Sequence, residues 1–304
     1  MLKHGNERDK SAPELTKLWI AMAKAGLDRT SAVVALGGGV VGDAAGFAAA
    51  TYMRGISLIQ VPTTLLAQVD SSIGGKTAID LPEGKNLVGA FYQPRLVISD
   101  INTLKTLPFK EFRNSFAEVV KYGVIRDAGL FNLLEAKTNW FFLSLKRGIF
   151  NAPQRAFLEA VVSRSAAVKA KVIERDEFER KGERMILNYG HTFGHALEAN
   201  SRYRMPHGEA VAIGMTLAAR LASKLKLFKK KDELRQAMLL RSAGLPIKAR
   251  FQAHRILTFM KRDKKARAGR IRLILPKAIG RVETSDRISE REIRILLQEF
   301  GSSS

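Results

Sequence analysis

The chain has no cysteine, which excludes disulfides, thiolate nucleophiles and cysteine-ligated zinc. Any metal site must therefore be built from imidazole and carboxylate ligands. Long apolar runs are also missing. Asp43, Arg54 and Asp70 interrupt the longest uncharged stretches, short of the roughly eighteen apolar residues that a membrane span needs. The opening residues, Met-Leu-Lys-His-Gly-Asn-Glu-Arg-Asp-Lys, lack the apolar core of a signal peptide. A cytoplasmic protein without a membrane partner is the expectation. No internal repeat or low-complexity linker is visible.

Acidic residues are outnumbered, 29 against 51 lysines and arginines, for a net charge of +22. Such an excess fits nucleic-acid binding, an anionic substrate, or charge scattered over solvated faces. The runs Lys229-Lys230-Lys231 and Lys261-Arg262-Asp263-Lys264-Lys265 carry no interleaved aromatics. Scattered charge and no nucleic-acid partner are therefore expected.

What is present suggests two domains. At 304 residues and 46% apolar composition, the chain can bury a substantial core. A buried strand at 31–36 ends at Gly37-Gly38-Gly39, a small-residue helix runs from 43 to 53, and strands follow at 56–61 and 95–99. Strand, glycine turn, helix, strand is the pattern of a mostly parallel sheet. Beyond Pro108, helical periodicity marks 112–125, 156–174, 192–199, 209–225 and 232–243. The expectation is an α/β domain over 1–108, followed by a mainly α-helical domain over 109–304.

Gly37, Gly39 and Gly42 fit G-x-G-x-x-G after a strand and before a helix, where backbone N–H groups can approach a pyrophosphate. The acid that usually holds the ribose about twenty positions on is absent, since the next acid after Asp43 is Asp70. The loop is either a structural turn or part of a variant grip. Thr63 and Thr64 bring hydroxyls to a strand's C-terminal end, or simply cap a helix. Lys76, Lys85 and Asn86 sit in a glycine-rich segment, where ammonium and backbone N–H groups can converge on an oxyanion such as phosphate. A solvated loop is the blander reading.

Histidine is scarce, yet three of the five lie between 191 and 207. His191 and His195 are four apart and share a helix face. They form either a metal-binding pair or two half-buried imidazoles. His207 close by favours a metal, and Glu118 in Ala-Glu-Val-Val-Lys can supply a further ligand.

Taken together, these segments resemble the 3-dehydroquinate synthases of the sugar phosphate cyclase superfamily, in register from about Gly5 to Gly280. The most specific stretches are Gly-Gly-Gly-Val-Val-Gly-Asp (37–43), Pro-Thr-Thr through Gly-Gly-Lys (62–76), Gly-Lys-Asn (84–86), Ala-Glu-Val-Val-Lys (117–121), Leu-Asn-Tyr-Gly-His-Thr-Phe-Gly-His (187–195), His-Gly-Glu-Ala-Val (207–211) and Asp-Lys-Lys (263–265). The resemblance implies a lyase that converts 3-deoxy-D-arabino-heptulosonate 7-phosphate to 3-dehydroquinate and phosphate, in the shikimate route to aromatic amino acids. NAD and Zn2+ (or Co2+) are the implied cofactors, a sugar phosphate the implied substrate, and a homodimer the implied assembly.

By the same resemblance Glu118, His191 and His207 are the metal ligands, and His195 is a proton-transfer residue instead. Glu7 and Lys10 match an E-x-x-K contact to the nucleotide. Gly39, Val40, Val41, Gly42, Asp43, Thr63, Thr64, Lys76, Lys85, Thr103, Leu104, Lys105 and Thr106 match the other NAD-contacting positions. Lys76, Asn86, Lys264 and Arg54 look like a phosphate cradle, Arg54 reaching in from a second subunit. Lys85 is carried over with the catalytic set as well. Lys169 and Arg184 suit a carboxylate, while Asp70, Lys121 and Asn188 suit hydroxyls.

The chain departs from the pattern in places. It begins where the family already has roughly sixty residues behind it, so a short sheet with a bare edge is expected. One residue is inserted within 176–184, where Glu183 replaces leucine and can displace Arg184. Ser115 replaces a glycine. The short N-terminus and the irregularity at 176–184 sustain a truncated, inactive or regulatory remnant as an alternative. A sister cyclase with another sugar phosphate and a metal-dependent alcohol dehydrogenase of related build are the others.

Overall fold

The fold is described from a computed structural model, in which residues 5–262 and 271–301 are described. In chain order the elements are α1 (Ala12–Lys24), β1 (Ala32–Gly37), α2 (Gly39–Thr51), β2 (Ser57–Pro62), β3 (Lys76–Leu81), β4 (Gly84–Phe91), β5 (Leu96–Val97), α3 (Phe109–Ile125), α4 (Ala128–Lys146), α5 (Ala152–Arg175), α6 (His191–Asn200), α7 (His207–Lys224), α8 (Lys230–Ser242), α9 (Ala253–Arg262), β6 (Leu273–Ala278), β7 (Arg281–Ser285) and α10 (Glu290–Gly301). They divide into two compact units, one of residues 1–108 with 155–178, the other of 109–154 with 179–304. Most of α5 thus belongs to the first unit, although helical periodicity alone groups it with the later helices.

The first unit is the α/β one. β1, β2 and β5 form a parallel sheet in that order, with Ala32 opposite Ser57 and Ile59 opposite Leu96. Helix α2 is rich in alanine and glycine, so it lies close on one sheet face and buries Ala35, Ala49, Ile56 and Leu58. α1 starts after Ser11 with a proline in its first turn and packs Leu15 against Phe47 and Ile79. Strand β1 is an edge among the described residues. Val34, Leu36, Leu96 and Ile98 remain exposed on the sheet, whereas parallel sheets are normally covered on both faces. The lysine- and glycine-rich segment expected as an anion-binding loop forms the antiparallel hairpin β3–β4.

The second unit is helical, with one small hairpin, β6–β7. α7 is buried on nearly all sides from Gly208 to Ala222, as expected of a helix that is apolar all round. Its glycines and alanines admit close neighbours. Gly190, at φ 81°, enters α6 against Val211 and Met215, where a Cβ would sit 2.6 Å from Met215 Cγ. Phe112, Phe116, Phe141 and Phe142 of α3 and α4 close the other side in tilted and edge-to-face contacts. Among the described residues, no helix is long and apolar enough to cross a membrane.

Candidate functional site

Three helices of the second unit bring Glu118 (α3), His191 (first residue of α6) and His207 (first residue of α7) together. One ligand atom from each lies within 4.8 Å of the others. His191 Nε2 and His207 Nε2 are each 3.3 Å from Glu118 Oε1. Glu118 is fully buried. Lys121, one turn on, forms an ion pair with it. Although burial pushes this carboxyl up, Lys121 and then His191 outweigh it and hold it well below the usual carboxylate range.

The outer nitrogens decide what the inner ones can do. His191 Nδ1 is 3.2 Å from the Tyr189 carbonyl oxygen, which only accepts, so this nitrogen carries the proton in the neutral ring. Burial, working against the attraction of Glu118, pushes His191 down to about 4. With the proton on Nδ1, His191 Nε2 and Glu118 Oε1 are two acceptor atoms facing each other at 3.3 Å, a donor set that fits a divalent ion.

His207 is flanked on both nitrogens. Nδ1 lies 3.2 Å from Glu198 Oε1, and burial is outweighed by the two carboxylates, which raise it to about 10. Because the folded pKa lies above the ordinary value of about 6.5, these contacts stabilise the metal-free fold most fully below that pH. The contribution is lost as pH rises through about 10. A metal on Nε2 must displace a proton. Loading Zn2+ at pH 8 should release about one proton per chain, read by calorimetry in two buffers of different ionisation enthalpy. Proton-neutral loading would contradict this arrangement.

His195 lies one turn along α6, its ring 5.4 Å from His191 and 6.3 Å from His207. It is beside the cluster and outside its ligand set. Arg184 is buried and Glu183 exposed, because Gly182 in the left-handed region starts a 3-10 turn over Glu183–Asn188. Arg184 Nε lies 3.6 Å from Glu179 Oε1. Asn188 ends the same turn. Ser115 donates to the Glu111 carbonyl at 2.7 Å and fits within α3.

In the first unit Lys10 is buried, with Nζ 2.8 Å from Asp43 Oδ2 and hydrogen-bonded to Asn86 Oδ1. Glu7 Oε1 lies 3.7 Å from Lys10 and 3.4 Å from Lys85. Glu7, Lys10, Asp43, Lys85 and Asn86 thus form one polar network. Gly39, Val40, Val41 and Gly42 open α2. Thr63 N donates to the Gly37 carbonyl, and Thr64 Oγ1 accepts from Ala67 N as a cap. Thr103, Leu104, Lys105 and Thr106 lie in a 3-10 turn, where Gln68 Nε2 donates to Thr103 Oγ1. Lys169 Nζ donates to the Asp70 carbonyl at 2.6 Å and forms an ion pair with its carboxylate. Lys76 begins β3, and Arg54 is exposed on a turn at φ 68°. Lys264 lies outside the described residues.

Sequence reasoning missed Glu198 and the Tyr189 carbonyl. Glu198 was visible seven residues after His191, on the same helical stripe. A main-chain oxygen leaves no such trace.

A glycine loop on a parallel α/β unit and a Glu–His–His cluster in a helical unit define a sugar phosphate cyclase fold, and solved structures of that class superpose on it. One is 2-epi-5-epi-valiolone synthase from Streptomyces hygroscopicus subsp. jinggangensis 5008, solved with NAD+ and Zn2+ (TM-score 0.86, 28% identity, 98% of this chain and 81% of that one). Another is 2-deoxy-scyllo-inosose synthase, complexed with carbaglucose-6-phosphate, NAD+ and Co2+ (TM-score 0.83, 30% identity, 97% and 81%). Within that class the chain belongs to the 3-dehydroquinate synthase family: residues 1–114 match the family's N-terminal model and 115–266 its C-terminal model. It is 49% identical over 302 residues to the 3-dehydroquinate synthase of a strain of Prochlorococcus marinus, covering 99% of this chain and 80% of that protein.

Proposed function

We propose that the chain is a cytoplasmic 3-dehydroquinate synthase, converting 3-deoxy-D-arabino-heptulosonate 7-phosphate to 3-dehydroquinate and phosphate. The observation that carries this reading is the Glu118–His191–His207 cluster, in a chain 49% identical to a 3-dehydroquinate synthase. The sister cyclases that superpose on it are 28% and 30% identical, which favours the heptulosonate substrate over theirs.

Glu118, His191 and His207 would hold Zn2+ or Co2+. Glu7, Lys10, Gly39 to Asp43, Thr63, Thr64, Lys76, Lys85 and Thr103 to Thr106 would hold NAD. When bound, NAD takes up and returns a hydride, and the ion polarises adjacent substrate hydroxyls. The remaining work falls to this chain's side chains. Lys76, Asn86 and Arg54, with Lys264, hold and orient the phosphate. Lys169 and Arg184 take the carboxylate, Asp70, Lys121 and Asn188 orient hydroxyls, and His195 moves a proton. Fixing one flexible substrate through successive steps requires this many polar contacts. We assign Arg54 to the site of a second subunit in a homodimer, for which light scattering should return a dimer mass.

Purified protein with NAD and Zn2+ should release phosphate from the heptulosonate phosphate, and not from sedoheptulose phosphate or glucose phosphate. Chelation should reduce release to background, and added Zn2+ or Co2+ should restore it. Phosphate release from either other sugar would move the assignment to a sister cyclase. Net NADH formation from a simple alcohol would move it to a dehydrogenase.

A further inference from the structure

We infer that Glu198 is a positioning residue for the metal centre, acting through His207. The inference rests on the reading of Glu118, His191 and His207 as ligands. On α6, His191, His195 and Glu198 recur at spacings of four and three, which places them along one stripe of the helix. The link from α6 to α7 is short and tightly turned. Arg202 and Tyr203 are both left-handed, at φ 53° and 58°, and the Glu198 carbonyl accepts from Tyr203 N at 2.7 Å. Ser201 Oγ also donates to that carbonyl, at 2.8 Å, and accepts from Met205 N at 3.1 Å. This braced turn folds the chain back, so that the first residue of α7 meets the last turn of α6.

There the Glu198 carboxylate lies 3.2 Å from His207 Nδ1, while the opposite ring nitrogen faces Glu118. A carboxylate can only accept, so it keeps a proton on Nδ1 and leaves Nε2 as the atom offered inward. It also raises the ring's basicity and limits its rotation. His207 needs this more than His191 does: its side chain is 35% exposed, against 11% for His191. Packing alone leaves it more freedom.

Glu198→Gln keeps the size and an acceptor oxygen but loses the charge, whereas Glu198→Ala loses both. Apoprotein would be titrated with Co2+, following the visible d–d bands of the bound ion. The expected result is a loss of Co2+ affinity of roughly 10–100-fold in Glu198→Ala. Glu198→Gln should fall between Glu198→Ala and wild type, with altered bands. Wild-type affinity and bands in both variants would overturn the positioning role while leaving the ligand assignment intact. A wild-type protein that binds no Co2+ would overturn both. A melt lowered in Glu198→Gln with unchanged affinity would make Glu198 a structural link between α6 and α7 and sink the inference.

Discussion

Replacing His191 by alanine is expected to reduce bound zinc from about one ion per chain to none and to abolish phosphate release. Two donors would remain, Glu118 Oε1 and His207 Nε2. Lewis-acid assistance is commonly worth several kcal/mol. At about 1.4 kcal/mol per decade, its loss should lower turnover by roughly 10³-fold or more. The variant should still fold, because the substitution removes a ring at a helix start and introduces no clash. Metal analysis, phosphate assay and circular dichroism on one preparation separate these effects. A His191→Ala protein with full zinc and full turnover would end the site assignment.

The second large effect is expected at Gly214, in the middle of α7. A Cβ there would overlap the carbonyl oxygen of Gly190, and would lie 2.9 Å from the amide nitrogen of Gly194 and 3.0 Å from the carbonyl carbon of Gly190. All three neighbours are backbone atoms, so no rotamer change can make room. Overpacking commonly costs about 1–3 kcal/mol and sometimes more. With only backbone to move, Gly214→Ala should reach about 3 kcal/mol, or a fall in Tm of roughly 6–12 °C. Zinc should be lost as well, because Gly190 immediately precedes His191. Gly148 makes a useful control: it has φ +70° and nothing within 4 Å of its Cβ position. Alanine there should cost only the left-handed backbone penalty of roughly 1–2 kcal/mol and leave zinc in place. If Gly214→Ala melts with wild type and keeps its zinc, the close α6–α7 crossing is wrong.

The parts of the fold that were readable in the sequence are those with a strong local period. Val33-Val34-Ala35-Leu36 before three glycines marks β1, and the small-residue run after them marks α2. The helical stretches at 112–125, 209–225 and 232–243 differ from α3, α7 and α8 by one to three residues at most ends. The hairpin β3–β4 was hidden because its glycines and lysines suppress the alternation that normally signals strands. α10 buries Ile293, Leu296, Leu297 and Phe300, yet its dense charge masks that apolar stripe.

The site was readable unevenly. Spacing within α6 paired His191 with His195, because one helix is all that local sequence can describe. The third group lies on α3, and the family resemblance, not periodicity, left His195 out of the ligand set. Lys10 and Asp43 are far apart in sequence and meet only through the tertiary fold. The polarity of His191 is set by a main-chain oxygen, which no side-chain pattern encodes.

One consequence of drawing the three donors from α3, α6 and α7 is mechanical. An ion held there acts as a rivet through the middle of the helical unit, fastening segments that are remote along the chain. A ligand at about 1,000 times its dissociation constant adds about 4 kcal/mol to a fold. Zinc starvation would then shorten the lifetime of the polypeptide as well as idle it, which melting curves taken with and without chelator would reveal.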